Sequence, residues 1–348
     1  MPNEKKFRVA IVGATGAVGK KIKQLLEDKQ FPIKELILLS SKRSAGTKVL
    51  FGTTEITIQE ATPAMFEGID IAFFSAGGSV STQLAQAAID HGAVVIDNTS
   101  AFRMDEHVPL IVPEVNAQDI TTHQGIIANP NCSTIQMVVA LKPILHAYGL
   151  SRVNVSTYQA VSGAGLQAIE ELNEQTAAYL EGKEMNAEVL PVGGDKRHFP
   201  IAYNAIPQID VFEENGYTAE EMKMINETKK ILHTPDLAVA ATCVRLPIVT
   251  SHSESIYIEI EEEGVTVEDI KNVLKDAPGV VLQDDPQNQE YPTPLAAEDQ
   301  EEVFVGRIRK DLSNDKGFHL WVVSDNLVKG AALNTVQIAQ AFIESEIG

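Results

Sequence analysis

Near its start the chain carries "FRVAIV" (7–12), an apolar run of strand length, then glycines, then "VGKKIKQLLED", where Val18, Ile22, Leu25 and Leu26 recur at helical spacing. This predicts strand, loop, helix. Further apolar runs follow at "LILLS" (36–40), "EITIQ" (55–59), "DIAFFSA" (70–76), "AVVIDN" (93–98), "PLIVPEV" (109–115) and "GIIANP" (125–130), with a helix predicted over "STQLAQAAIDHG" (81–92). Short strands that are apolar on both faces, alternating with helices, predict a mainly parallel sheet covered on both sides.

Beyond residue 132 the pattern changes. "SRVNVSTYQAVSG" (151–163), "ESIYIEIEEE" (254–263), "EVFVGRIRKDL" (302–312) and "KGFHLWVVSDN" (316–326) alternate apolar with polar positions, as strands with one solvated face do. Helices are predicted over 164–181, 218–232, 266–275 and 327–345. The expected architecture is an α/β Rossmann-like dinucleotide-binding domain over 1–131, completed by 326–348, and an α+β catalytic and dimerisation domain over 132–325 with a mostly antiparallel sheet.

A length of 348 residues, 44% hydrophobic and 22% charged, suits two packed globular domains. Two cysteines cannot form a disulfide framework, and the N-terminus turns strand-like too soon for a signal peptide, so a reducing cytoplasm is expected. No apolar stretch reaches the roughly 18 to 20 residues that span a bilayer, so no membrane anchor is expected. A net charge of -20 with no long basic stripe argues against nucleic acid. The charge is uneven: residues 1–131 hold 12 Lys/Arg against 14 Asp/Glu, and the remainder 16 against 34. An anionic cofactor is better hosted by the first part.

Candidate chemistry begins with "GATGAVG". Gly13, Gly16 and Gly19 follow a predicted strand and open a predicted helix, where glycines permit the tight turn, backbone approach to a pyrophosphate, and close helix–strand packing. The spacing is G-x-x-G-x-x-G, and glycines that merely make a βα turn are the bland alternative. At the end of the second strand "SSKRSAG" places Ser40, Ser41, Lys42 and Arg43 where an acid would accept from the ribose of NAD, which favours the 2′-phosphate of NADP. Arg43 as plain surface charge is the alternative.

"NPNCST" sets Cys132 just past a strand and at the start of the helix "STIQMVVAL", where unpaired backbone N–H groups favour a thiolate. Packing residue, metal ligand and nucleophile are all open for a lone cysteine. Metal is disfavoured because no Cys or His stands at ligand spacing, and no metal is expected. Cys243, inside "LAVAATCVRLP", suits the core. A proton carrier is needed, and His252, between two strands in "RLPIVTSHSES", is a candidate beside His198 and His319. Arg245 could clamp a carboxylate, with a surface ion pair as its commoner fate. Glu220 and Lys223 stand one helical turn apart and could face one site.

These residues together resemble the aspartate-semialdehyde dehydrogenases, of the shorter type typical of Gram-positive bacteria. The likeness runs from "VAIVGATGAVG" to the last helix and includes "NTSAFRMD" (98–105), "NPNCST", "STYQAVSGAG" with Gln159 27 residues after Cys132, "EEMKM" (220–224) and "VRLPIVTSHSES" (244–255). It implies a glyceraldehyde-3-phosphate-dehydrogenase-like fold and a homodimer or homotetramer. It implies Cys132 as acyl-thioenzyme nucleophile, His252 as general acid/base and Gln159 as the residue orienting the acyl group. Arg245 would grip the substrate α-carboxylate, Glu220 its α-ammonium, and Arg103 with Lys223 the phosphate. NADP would lie against Gly13, Thr15, Gly16, Ala17, Val18 and Gly19, against Ser40, Ser41, Arg43 and Ser44, against Ser75, Ala76 and Gly77, and near Ser162, Gly163 and Asn326.

The implied reaction converts L-4-aspartyl phosphate and NADPH into L-aspartate 4-semialdehyde, NADP and phosphate, toward lysine, threonine and methionine. Two rivals stand beside it. N-acetyl-γ-glutamyl-phosphate reductase shares the fold and a cysteine, but its acylated amine has no use for Glu220. A non-enzymatic NADP-binding redox sensor would need the thiol and not Gln159, Arg245 and His252.

Overall fold

The computed structural model describes residues 5–347, and each of its two units is described by itself. One unit reaches to Pro130 and resumes at Ala331; the other is Asn131–Gly330. In the first, β1 (Phe7–Val12) is buried at every position except Arg8, as a strand covered on both faces must be. After it come α1 (Ala17–Asp28), β2 (Ile33–Ser40), β3 (Lys48–Phe51), β4 (Thr54–Thr57), β5 (Gln59–Glu60), β6 (Ile71–Phe74), α2 (Gly78–Asp90), β7 (Val94–Asp97), α3 (Pro113–Asn116) and β8 (Ile126–Ala128). The parallel sheet has the order β5-β2-β1-β6-β7-β8. The chain winds outward from β1 in both directions, so the winding reverses between β1 and β6. Ligands of open α/β sheets bind at the carboxyl ends of the strands at such a point.

Two expected strands come out differently. "PLIVPEV" gives only a bridge from Leu110 to Ala128, then the helical turn α3. Pro113 has no N–H to donate and starts that turn, and Asn116 takes the groups a ladder would use: Oδ1 accepts from Val112 N–H at 3.0 Å and Nδ2 donates to the Leu110 carbonyl at 3.0 Å. "EITIQ" divides, because β4 pairs with β3 as a hairpin outside the main sheet and only β5 joins β2.

The second unit contains α4 (Cys132–Tyr148), β9 (Arg152–Gln159), α5 (Leu166–Leu180), α6 (Ala219–Ile231), β10 (Ala238–Arg245), β11 (His252–Glu259), α7 (Val267–Lys275), β12 (Val280–Leu282), α8 (Pro294–Ala297), β13 (Val303–Lys310) and β14 (Gly317–Ser324). Its sheet runs β10-β9-β11-β14-β13-β12. The four central strands are antiparallel and the two outer pairs parallel. Helices α4, α6 and α7 cover one face, where Val155, Thr157, Gln159, Cys243, Arg245, His252, Glu254 and Ile256 are all buried. His252 is the first residue of β11 and not part of the preceding connection, which places its ring on this covered face.

The predicted last helix begins as a π-helical turn, Val328–Ala332, and becomes α-helical only at α9 (Leu333–Ile347). Within the first unit α9 lies on α1, α3 and β7, and Asn334 Nδ2 donates to the Ile111 carbonyl at 3.0 Å and to Asn129 Oδ1 at 2.7 Å. Among the described residues no helix is long and apolar enough to cross a membrane.

Candidate active site

The glycine loop lies at the sheet's switch point. Gly13 has φ +92°, and a Cβ there would stand 2.8 Å from the Ser75 backbone at the end of β6. A Cβ on Gly19 would collide with the Gly13 carbonyl oxygen. Gly16 differs, since a Cβ would meet only that same oxygen at 3.4 Å, and its φ is -71°. The protein itself does not require glycine at 16, whereas a phosphate approaching the open start of α1 would.

Around this loop is a cavity of about 420 Å³ lined by Gly13, Thr15, Gly16, Ser40, Ser41, Lys42, Glu60, Ser75, Ala76, Gln83 and neighbouring apolar side chains. Thr15 Oγ1 and Ser40 Oγ are hydrogen-bonded at 2.9 Å. Ala17 and Val18 form the first turn of α1, which has no acidic residue to repel an anion. Arg43 and Ser44 lie in the turn just after β2, with Arg43 exposed, and Gly77 caps α2 with φ +94°. These residues fit a dinucleotide: open N–H groups, hydroxyls at the end of β2, and Lys42 with Arg43 beside them.

In the second unit a hydrogen-bonded chain leads to the residue before the cysteine. Cys132 is partly exposed and is the first residue of α4. The N-cap before it, Asn131, accepts from the N–H groups of Ser133 and Thr134 at 3.0 and 3.2 Å. Asn131 Nδ2 donates to Glu220 Oε1 at 2.9 Å, and Gln159 Nε2 donates to that oxygen at 3.1 Å. Arg245 Nη1 reaches Gln159 Oε1 at 3.5 Å and donates to the Ala160 carbonyl at 2.7 Å. Ala160 N–H donates to His252 Nδ1 at 3.1 Å. The chain thus runs His252, Ala160, Arg245, Gln159, Glu220, Asn131, and ends one peptide before the thiol.

Charges in this chain are set by burial and by each other. Burial alone would raise the Glu220 carboxyl, but Lys223, the Asn131 and Gln159 amides and Arg245 outweigh it and hold the group below the ordinary carboxylate range. Burial pulls Arg245 down from its usual value, opposed by the attraction of Glu220 and Cys132. Burial and then Arg245 drive His252 well below 6.5. Its imidazole is neutral, and with Nδ1 accepting from Ala160 the proton belongs on Nε2. A Cβ on Gly163 would come within 3.0 Å of Arg245 Nη1 and 3.4 Å of the His252 ring, so this glycine leaves the space in which both side chains sit.

The remaining sequence candidates have definite partners. Asn326 helps hold the unit together: its Nδ2 donates to Ser162 Oγ at 3.0 Å, and its Oδ1 accepts from the N–H of Ser251, the residue before His252, at 2.9 Å. Lys223 Nζ donates to Asp210 Oδ2 at 2.8 Å and to Glu220 Oε2 at 3.4 Å. In the first unit Arg103 is buried, with Nη2 donating to the Asn98 carbonyl at 3.1 Å. Burial raises the carboxyl of nearby Asp97, against hydrogen bonds from Thr99 and Ser81 and the charge of Arg103. Cys243 is fully buried in β10, where burial pushes its thiol far up. His198 and His319 lie elsewhere, on the Val192 carbonyl and near Asp311.

Sequence reasoning missed several residues. Asn131 carries a readable signal, since Asn directly before a helix is a standard cap. Glu227, whose Oε2 accepts from Asn131 N–H at 2.7 Å, carries none, because it reaches the site across 96 positions. Glu60 enters the cavity beside Ser40 only through strand pairing. Gly330 packs against the thiol residue, and a Cβ there would lie 2.9 Å from Cys132 Cβ.

Comparison with known proteins agrees across the whole chain. Residues 8–123 match the family described as "Semialdehyde dehydrogenase, NAD binding domain", and residues 141–329 match "Semialdehyde dehydrogenase, dimerisation domain". The aspartate-semialdehyde dehydrogenase of Bacillus subtilis (strain 168) is 67% identical over 335 residues, 96% of this chain and 97% of that protein. That of Aquifex aeolicus (strain VF5) is 55% identical over 97% of this chain and 98% of that protein. The crystal structure of aspartate semialdehyde dehydrogenase II from Vibrio cholerae, complexed with ASA, superposes with a TM-score of 0.93 at 44% identity, covering 98% of this chain and 99% of that one. The chain belongs to the aspartate-semialdehyde dehydrogenase family.

Proposed function

We propose that the protein catalyses the NADPH-dependent reductive dephosphorylation of L-4-aspartyl phosphate to L-aspartate 4-semialdehyde through a thioester on Cys132. The observation that carries this reading is the hydrogen-bonded chain from His252 to Asn131, the residue before a cysteine on a helix N-terminus.

The Cys132 thiolate, favoured by the start of α4 and the attraction of Arg245, attacks the acyl carbon. A C–S bond forms, and the C–O bond breaks with its electron pair leaving on phosphate. Arg103 and Lys223 are the cations we assign to that phosphate. Arg245 takes the substrate carboxylate and Glu220, held ionised, its ammonium. Gln159, fixed at both ends of its amide, orients the acyl oxygen. When bound, NADPH supplies the hydride that reduces the acyl carbon. His252, assigned as general acid/base, gives sulfur a proton as the aldehyde departs and does so from the imidazolium, formed when the ring takes up one proton, so that the neutral ring is left.

For the cofactor, the glycine loop, Ser40, Ser41, Arg43, Ser44, Ser75, Ala76 and Gly77 are assigned to NADP, with Ser162 and Gly163 on the catalytic side and Asn326 acting through Ser162 and Ser251. The matched dimerisation domain supports an oligomer, which we take to be a homodimer, with a homotetramer as its higher form. The cytoplasm is the expected compartment.

The test is phosphate-dependent reduction of NADP with L-aspartate 4-semialdehyde, followed by absorbance and repeated with NAD. Turnover that needs phosphate supports the reading. Preference for the acetylated glutamyl substrate would replace it with N-acetyl-γ-glutamyl-phosphate reductase, and binding of NADP without turnover would leave a redox sensor.

A further inference from the structure

Behind the catalytic histidine lies a carboxyl group that the mechanism above does not use. Glu254 is fully buried in β11, two residues after His252, so both side chains point to the face covered by α4. Neither of its carboxyl oxygens has a hydrogen-bond partner among the described residues, and Gln136 Oε1 on α4 is likewise without one. The two side chains lie against each other, and Gln136 Nε2 donates to the His252 carbonyl at 3.3 Å. As a carboxylate, Glu254 would be a buried charge answered only by the Gln136 amide, which also donates to the His252 carbonyl, and Gln136 Oε1 would be left without a donor. One proton resolves both deficits.

We propose that Glu254 is a positioning residue acting as a neutral carboxylic acid: its O–H donates to Gln136 Oε1, and Gln136 in turn holds the His252 backbone from behind. The inference rests on the thioester reading of the site only in that His252 is its proton donor. A second consequence is electrostatic. The ionisable groups bearing on this layer are Cys243 and Arg245 from β10, Glu220 and Glu221 from α6, and His252 itself. A further negative charge on the same face of β11 as the ring would favour the imidazolium, whose Nδ1–H would point at Ala160 N–H and break the bond that orients it. A neutral Glu254 avoids this, as carboxylic acids kept protonated in apolar sites elsewhere serve as donors. Burial raises this carboxyl well above the ordinary range, against a smaller opposing effect of Gln136.

The experiment combines infrared spectroscopy with kinetics on the full chain. The infrared difference between the parent and Glu254→Gln at neutral pH is expected to contain the carbonyl stretch of a protonated carboxylic acid and no carboxylate bands. This measurement needs no turnover, so it stands whether or not the substrate assignment does. Glu254→Val is expected to lower kcat on the order of tenfold with KM nearly unchanged. Glu254→Gln, which still offers a neutral donor to Gln136, should restore most of the loss and leave the pH profile of kcat in place. Carboxylate bands in the difference spectrum would overturn the proposal. So would a Glu254→Gln variant as slow as Glu254→Val, or one whose pH profile moves as loss of a charge requires. If Glu254→Val does not fold, the spectrum and the Glu254→Gln profile decide the matter alone.

Discussion

Ala160 N–H donates to His252 Nδ1 at 3.1 Å, and this one bond decides which nitrogen of the neutral His252 ring carries the proton. A neutral ring so held presents Nε2–H. His252→Gln is expected to lower kcat by about 10² to 10⁴, the usual contribution of a general acid or base, with NADP binding retained. Nitrogen NMR of the labelled ring should show the Nε2–H tautomer at neutral pH.

The same ring predicts a pH dependence of stability. Its folded-state value lies below the ordinary 6.5, from burial and then Arg245. Such a group contributes stability that is complete above the unfolded value and is lost as pH falls from about 6.5 toward the folded value, because the unfolded chain takes up the proton first. Thermal unfolding should therefore show a drop in Tm across this window that is smaller in His252→Gln.

Cys132→Ala should abolish turnover while leaving NADP binding, measured by fluorescence titration; normal turnover would remove the covalent mechanism. Gly330→Ala is the more discriminating variant. Its Cβ would lie 2.9 Å from Cys132 Cβ, so one of the two must move. Displacing the nucleophile by a fraction of an ångström to an ångström should lower kcat by up to about 10²-fold, with cofactor affinity unchanged.

Asn131→Ala removes the α4 cap and one of the side-chain donors of Glu220, while Glu227 keeps its bond to the backbone N–H. The cap alone is worth about 1 kcal/mol, and loss of a donor to the buried Glu220 adds to it. Urea denaturation should show the loss, together with a fall in kcat as Cys132 is released.

Arg43→Ala is expected to weaken NADP more than NAD, since only NADP carries the 2′-phosphate. Lys42 lines the cavity and should behave alike. Equal losses for the two cofactors in either variant would leave the 2′-phosphate assignment without support.

Many residues of the candidate site were legible along the chain because their signals are local. A glycine loop between a strand and a helix, a cysteine at a helix start, and a Glu and Lys one turn apart each reside in a few consecutive residues, and resemblance supplied the roles. The two strands that came out differently failed for local reasons as well: Pro113 and Asn116 divert the backbone groups of "PLIVPEV", and "EITIQ" is shared between a hairpin and the sheet edge.

What the sequence determined by itself was most of the order of elements, the glycine loop and the place of Cys132 at the start of a helix, since period, turn chemistry and motif act within a few residues. Only the tertiary structure decided that Glu227 grips the residue before Cys132, that Gly330 gives the thiol its room, that Asn326 is spent on Ser162 and Ser251, and that His252 faces Ala160 with Glu254 behind it. Those relationships join positions from 75 to almost 200 residues apart, or set neighbours on one face of a strand whose covering helix no local pattern names.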